Sequence, residues 1–394
     1  MRNKNYSKKK SLLPKSVIAG NAALPGLYIH VPFCISKCPY CGFYSITDLS
    51  LIPGYLSALG REMDFFKNRT GPFDTCYIGG GTPSVLSPRQ LENLILGARE
   101  AFTISEGSEI TVEMNPADIN SDLLNTLYRA GANRVSIGIQ SFNDAVLSFL
   151  GRRHSSAIAS DAVKTVRRAG FENISIDLIY GVPGQDIEVW TETLQQAVML
   201  NPDHISCYQL AVEKGTPLAQ TIQSGLIALP GEALQAKFFF VTAEILDKYG
   251  YAQYEVSNFA VPGREARHNQ KYWMHVPYLG LGPSAHSFSG CERRWNIRSV
   301  HSYIEKLTEG TLPIEETEIL DSTKMRMETL FLGLRTRSGI SLNQFKIFFD
   351  FDPMKEKKDI IDSLRKEGFI TISDGFLKPT RKGLAVADSL ALLF

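Results

Sequence analysis

Tyr28-Ile29-His30-Val31-Pro32-Phe33-Cys34-Ile35-Ser36-Lys37-Cys38-Pro39-Tyr40-Cys41 is the stretch from which the organisation of this chain unfolds. An apolar run with the character of a strand ends at Phe33, and three cysteines follow within eight positions. Three thiolates this close can face one cubane cluster while leaving its fourth iron without a protein ligand. An α-amino acid chelates an open iron through its amine and carboxylate, so the spacing points to a [4Fe–4S] cluster that holds S-adenosylmethionine. Two other chemistries draw on the same residues. A zinc site would need His30 beside Cys34, Cys38 and Cys41 as a fourth ligand. A Cys-x-x-Cys redox pair would leave the third cysteine without a purpose. Cys76, Cys207 and Cys291 are scattered, unlike a secreted disulfide framework, which predicts a reducing, cytoplasmic setting.

Outward from this stretch, strands are expected at 27–33, 75–79, 109–114, 134–140, 173–180 and 204–211. Amphipathic helical segments lie between them at 87–102, 121–131, 156–170 and 186–200. Ser87-Pro88 opens one helix and Ala169-Gly170 closes another. Near-continuous apolar strands alternating with helices predict a parallel sheet buried on both faces. Periodicity alone fits an open doubly wound sheet as well as a TIM-like barrel. The polar residues favour the barrel, because Gly79, Glu113, Gln140, Asp177 and Gln209 fall at or near strand C-terminal ends. In a barrel those ends converge on the face where active sites are built.

The rest of the chain divides by composition. Residues 1–25 read as a flexible basic arm, with Arg2, Lys4, Lys8, Lys9, Lys10 and Lys15 and no acidic residue among the first fifteen. At most it touches an anionic membrane surface weakly. Residues 26–220 hold the barrel, 221–315 an aromatic-rich segment associated with it, and 316–394 a smaller α+β unit. That last unit has the order of a winged helix, ending in strand, Asp374-Gly375 turn, strand and helix. It carries no basic recognition helix, and the 394-residue chain has a net charge of +1, so nucleic acid is not an expected partner. No apolar run is long enough to span a bilayer.

Several motifs in order resemble the radical S-adenosylmethionine superfamily, in the branch of oxygen-independent coproporphyrinogen III oxidase. They are Tyr28 to Cys34, Gly79-Gly80-Gly81-Thr82-Pro83, Glu113-Met114-Asn115-Pro116, Gly138-Ile139-Gln140-Ser141, Leu150-Gly151-Arg152, Asp177 to Gln185 and Gly280-Leu281-Gly282. The resemblance implies a partial, three-quarter TIM-like barrel with an extra C-terminal domain. It also implies that Tyr28, Gly80, Gly81, Thr82, Glu113, Gln140, Arg152, Asp177 and Ala211 bind S-adenosylmethionine. Glycines without a Cβ admit the methionine end closely, and Arg152 would pair with its carboxylate. Glu113 and Asp177 would accept hydrogen bonds from its amino or ribose groups.

One departure matters. The oxidases resembled here have a fourth cysteine two residues after the third, where this chain has Phe43. Their longer leader before the first cysteine is missing too. Both features resemble the HemW-like branch of haem chaperones, and so does His268-Asn269-Gln270-Lys271-Tyr272-Trp273. That motif implies haem as cargo with His268 as its axial ligand, and a haem-acceptor protein as partner. Arg264, Arg267, Arg293 and Arg294 are candidates to pair with propionates, and His275 and His286 are weaker ligand candidates. No residue is assigned a catalytic role. The alternative is the oxidase itself, decarboxylating porphyrinogen propionates.

Overall fold

The computed structural model describes residues 23–394, so the basic arm expected at 1–25 lies, up to residue 22, outside the described residues. Six βα repeats follow the order read from the sequence. The strands are β1 (Gly26–Val31), β2 (Phe73–Gly80), β3 (Ile104–Met114), β4 (Arg134–Gln140), β5 (Asn173–Tyr180) and β6 (His204–Gln209). The first helices are α1 (Ile52–Phe66), α2 (Pro88–Ala101), α3 (Ser121–Ala130), α4 (Asp144–Phe149), α5 (Ser156–Arg168) and α6 (Ile187–Met199).

The local causes are ordinary ones. Ser87 and Gln90 form a reciprocal capping box at the start of α2, with Pro88 in the first turn, where its missing N–H costs nothing. Leu91, Leu94, Ile95 and Ala98 then recur at helical spacing and are all buried against the sheet. Gly131 ends α3 with φ of 99°, a left-handed cap that glycine adopts without strain.

All six strands pair in parallel, β1 through β6 in sequence order, and a seventh parallel strand, β9 (Tyr278–Leu281), pairs with β1 on its other side. Between β6 and β9 run α7 (Pro217–Gln223), α8 (Glu232–Lys248), β7 (Ala252–Gln253), β8 (Asn258–Ala260) and α9 (Arg267–Trp273). Past β9 the sheet continues antiparallel through β10 (His286–Phe288), β11 (Glu292–Asn296) and, after α10 (Val300–Thr308), β12 (Ile314–Ile319). The strand order is linear, ending at β12 on one side and β7 on the other, so the barrel is partial and stays open laterally. Leu27, Ile29, Ile78, Val112, Val135, Ile137, Ile176 and Ile205 face the helices and are fully buried.

The C-terminal region folds around a second apolar core that includes Leu330, Leu334, Phe345, Ile361 and Leu377. Helices α11 (Ser322–Gly333), α12 (Leu342–Phe349), α13 (Pro353–Glu356) and α14 (Lys358–Lys366) pack with a three-stranded antiparallel sheet in the order β13 (Ile340–Ser341), β15 (Phe376–Pro379), β14 (Ile370–Ser373). The Asp374-Gly375 turn has φ of 54° and 78°, the paired positive values that favour a tight hairpin. Among the described residues, no helix is long and apolar enough to cross a membrane.

Candidate functional site

The cysteine loop is built outward from the end of β1. Cys34 N–H donates to the Ile46 carbonyl at 3.0 Å and Ile46 N–H to the Pro32 carbonyl at 2.8 Å, pinning the base of the loop. Gly81 N–H and Thr82 N–H reach back to the carbonyls of Val31 and Phe33, both at 2.8 Å. A Cβ on Gly81 would meet the Phe33 carbonyl oxygen at 2.6 Å and the Val31 carbonyl oxygen at 2.9 Å, so only glycine permits this approach. Thr82 Oγ1 then lies 3.3 Å from Cys34 Sγ as a donor. From the far side, Arg152 Nη1 lies 3.5 Å from Cys38 Sγ while Nη2 donates to the Gly138 carbonyl at 2.6 Å.

The three cysteines are half-buried and unpaired, and they share one cavity of about 660 Å3. Among the described residues, no three His, Cys, Asp or Glu side chains gather closely enough to hold a single metal ion. His30, the fourth ligand a zinc site would need, has Nδ1 against the Tyr28 hydroxyl and Nε2 against the Tyr44 carbonyl, both at 2.9 Å. A cubane puts one iron behind each thiolate, and three thiols on one loop, with donors from Thr82 and Arg152 beside two of them, fit that group. Its role would be to bind S-adenosylmethionine and supply reductive cleavage at the sulfonium.

The cavity brings together most of the residues singled out in the sequence. Gly80, Gly81, Thr82, Glu113, Gln140, Arg152, Asp177 and Ala211 line it with the three cysteines. Gln140 closes β4 with φ of 69°, a left-handed backbone that costs an L-residue energy, next to a break in the β4–β5 register. Glu113 accepts from the Tyr77 hydroxyl at 2.7 Å and from Gly80 N–H at 3.1 Å. Burial outweighs these bonds and raises its pKa to about 7. Burial also raises Asp177, against hydrogen bonds from Ser206 and Ser136 and the charge of Arg134. Burial raises the Cys41 thiol as well.

Two expected site residues stand elsewhere. Tyr28 is not on the cavity wall; its hydroxyl is held by His30. His268 lies at the opposite end of the barrel from the cysteines, on α9, whose first N–H groups are held by a carboxylate near the N-terminal end of the barrel. Arg267 N–H and His268 N–H donate to Glu109 at 3.2 and 3.0 Å. The imidazole is 1% exposed, with Nδ1 at 2.9 Å from Thr75 Oγ1 and Nε2 at 2.8 Å from the Tyr272 hydroxyl. Burial lowers its pKa to about 3, so it is neutral. The next residue, Asn269, does line the cavity, so the helix closes the barrel floor.

The candidate propionate partners do not converge on one site. Arg293 is forked onto Glu328, Arg267 pairs with Asp74, Arg264 lies 4.0 Å from Asp203, and Arg294 covers the Phe66 ring. His275 bridges Glu328 and Thr329 of α11, and His286 stacks on Trp295. Conversely, Arg134, Ser136, Ser175, His204, Ser206 and Tyr208 line the cavity and were not picked out from the sequence. Their signal was there, as polar residues at every second position of strands whose other face is apolar.

Residues 28–197 match the radical SAM superfamily and residues 320–386 the HemN C-terminal domain. The chain is 38% identical to the heme chaperone HemW of Lactococcus lactis over 81% of this chain and 83% of that protein. It is 35% identical to the heme chaperone HemW of Bacillus subtilis over 92% of this chain and 97% of that protein. Among solved structures, coproporphyrinogen III oxidase (HemN) from Escherichia coli superposes with a TM-score of 0.82 at 25% identity, covering 96% of this chain and 91% of that one. With the cysteine loop, the shared cavity and Phe43 in place of a fourth cysteine, these matches identify the chain as a member of the HemW family within the radical SAM superfamily.

Proposed function

We propose that this protein is a cytoplasmic haem chaperone, which carries a [4Fe–4S] cluster on Cys34, Cys38 and Cys41, binds S-adenosylmethionine in the cavity beside it, and passes haem to an acceptor protein. The observation that supports this reading over a porphyrinogen oxidase is the pairing of Phe43, 70% exposed where the oxidase pattern has cysteine, with the HNQKYW helix on the barrel floor. Gly80, Gly81, Thr82, Glu113, Gln140, Arg152, Asp177 and Ala211 would hold S-adenosylmethionine, with Tyr28 supporting that site through His30. His268 is the proposed axial ligand to haem iron, with Nε2 exchanging the Tyr272 hydroxyl for the metal.

The test supplies cluster-loaded protein with S-adenosylmethionine and reductant, in the presence of haem or of coproporphyrinogen. A chaperone retains haem and releases no 5′-deoxyadenosine in step with porphyrin product. Stoichiometric 5′-deoxyadenosine with loss of propionate carboxylates would make the protein an oxidase instead.

A further inference from the structure

Arg134, the first residue of β4, is a buried cation on the cavity wall. It is 1% exposed, it lines the cavity, and its Nε is buried without a hydrogen-bond partner among the described residues. None of the described residues forms an ion pair with it at 4.0 Å or less, although Glu113 and Asp177 feel its charge. A guanidinium carries five donors in a fixed plane, and a buried charge left without partners is strongly unfavourable.

The surroundings are polar. Thr111, beside Arg134 in the β3–β4 register, has a buried Oγ1 that is also unpartnered. Ser136, Ser175 and Ser206 bring hydroxyls to the same cavity wall. His204, whose Nδ1 lies 2.8 Å from Ser175 Oγ and Nε2 2.8 Å from the Tyr254 hydroxyl, is kept neutral by burial and by the Arg134 charge. Glu113 and Asp177 face the guanidinium from β3 and β5, and its charge lowers the pKa of both against the upward push of burial.

We propose that Arg134 is a carboxylate-binding residue at the inner end of the cavity, and that the carboxylate is a propionate arm of the porphyrin. This rests on the porphyrin reading above and adds the recognition element it lacks. A planar guanidinium takes a carboxylate through two parallel N–H···O bonds. The methionyl carboxylate of S-adenosylmethionine is the competing source. It is assigned to Arg152, which lies against Cys38 Sγ at the cluster loop, and not to Arg134.

The test uses the full-length, cluster-loaded protein and a metal-free tetracarboxylate porphyrin, coproporphyrin, followed by fluorescence, beside its tetramethyl ester and a separate S-adenosylmethionine titration. Arg134→Gln is expected to weaken the acid about ten- to a hundredfold, as for loss of charge-assisted hydrogen bonds, and to leave the ester and S-adenosylmethionine within about twofold. Arg134→Lys keeps the charge without the fork, and is expected to recover part of the affinity. If Arg134→Gln does not fold, the lysine variant carries the comparison. Loss confined to S-adenosylmethionine would give Arg134 to the methionyl end and overturn the proposal. So would unchanged affinity for both, which would leave the guanidinium only offsetting Glu113 and Asp177. A wild type that binds haem with no dependence on Arg134 sinks this inference alone. Arg134-dependent binding of the metal-free acid, with a haem spectrum indifferent to His268, sinks the iron-ligand assignment alone. A wild type that binds no porphyrin sinks both.

Discussion

Tyr272→Phe probes the arrangement that guards His268. The Tyr272 hydroxyl lies 2.8 Å from Nε2, while its ring packs edge-on against His268 and against Tyr278, with centroids 5.2 and 4.7 Å away. Phenylalanine keeps that packing and removes only the hydroxyl. Thr75 still holds Nδ1, so the imidazole stays oriented. Iron coordination through Nε2 must break the Tyr272 bond, whose net worth is about 0.5–1.5 kcal/mol. Removing it beforehand should tighten haem binding by about 2- to 12-fold, at 1.4 kcal/mol per factor of ten. No proton has to leave the ring, because burial holds its pKa at about 3. Since the folded pKa lies below the unfolded value, any pH effect from this group appears only as pH falls below about 6.5. The gain should therefore be flat from pH 7 to 8. Haem titration followed by absorbance, on wild type and Tyr272→Phe, measures it. A Tyr272→Phe protein that folds normally and binds haem no more tightly would refute coordination through Nε2.

Three further outcomes follow from the same geometry. Gly81→Ala places a Cβ against the Phe33 and Val31 carbonyls, so reconstitution should yield little [4Fe–4S] absorbance, on the order of a quarter of wild type or less. Arg152→Lys cannot span Gly138 and Cys38 together, and should lose about tenfold or more in S-adenosylmethionine affinity by equilibrium dialysis while keeping its iron. Glu62 of α1 is buried and accepts from Asn296 Nδ2, Gly282 N–H and the Tyr303 hydroxyl, so the amide of Glu62→Gln must turn a donor toward one of them and should cost about 1–3 kcal/mol in unfolding experiments. Burial raises Glu62 to about 7, so the stability it contributes as the acid is present below about 4.5 and fades as pH rises through 7; the glutamine variant should lack that slope.

The order of strands and helices was legible because its signals are local. Residues 134–140 and 173–180 were bounded correctly from apolar runs alone, and the Ser87 cap and the Asp374-Gly375 turn carry their own chemistry. The cavity residues at strand C-terminal ends were legible for a geometric reason, since parallel strands in a barrel deliver those ends to one face. Arg134 escaped because it lies at the start of its strand, where a charged residue reads as a solvated terminus; only the tertiary structure shows it turned inward. His268 shows the converse. Its motif is plain in the sequence, but the motif does not reveal that α9 docks on Thr75 and Glu109, at the end of the barrel away from the cysteines, with both ring nitrogens engaged.

The separation of cluster and histidine makes one measurement the most direct: an anaerobic haem titration of the cluster-loaded protein beside His268→Ala. Saturation at one haem per chain, weakened about tenfold or more by the substitution at unchanged iron and fold, is the predicted result. Binding that never saturates, or that saturates identically in His268→Ala, would contradict the haem-carrier account.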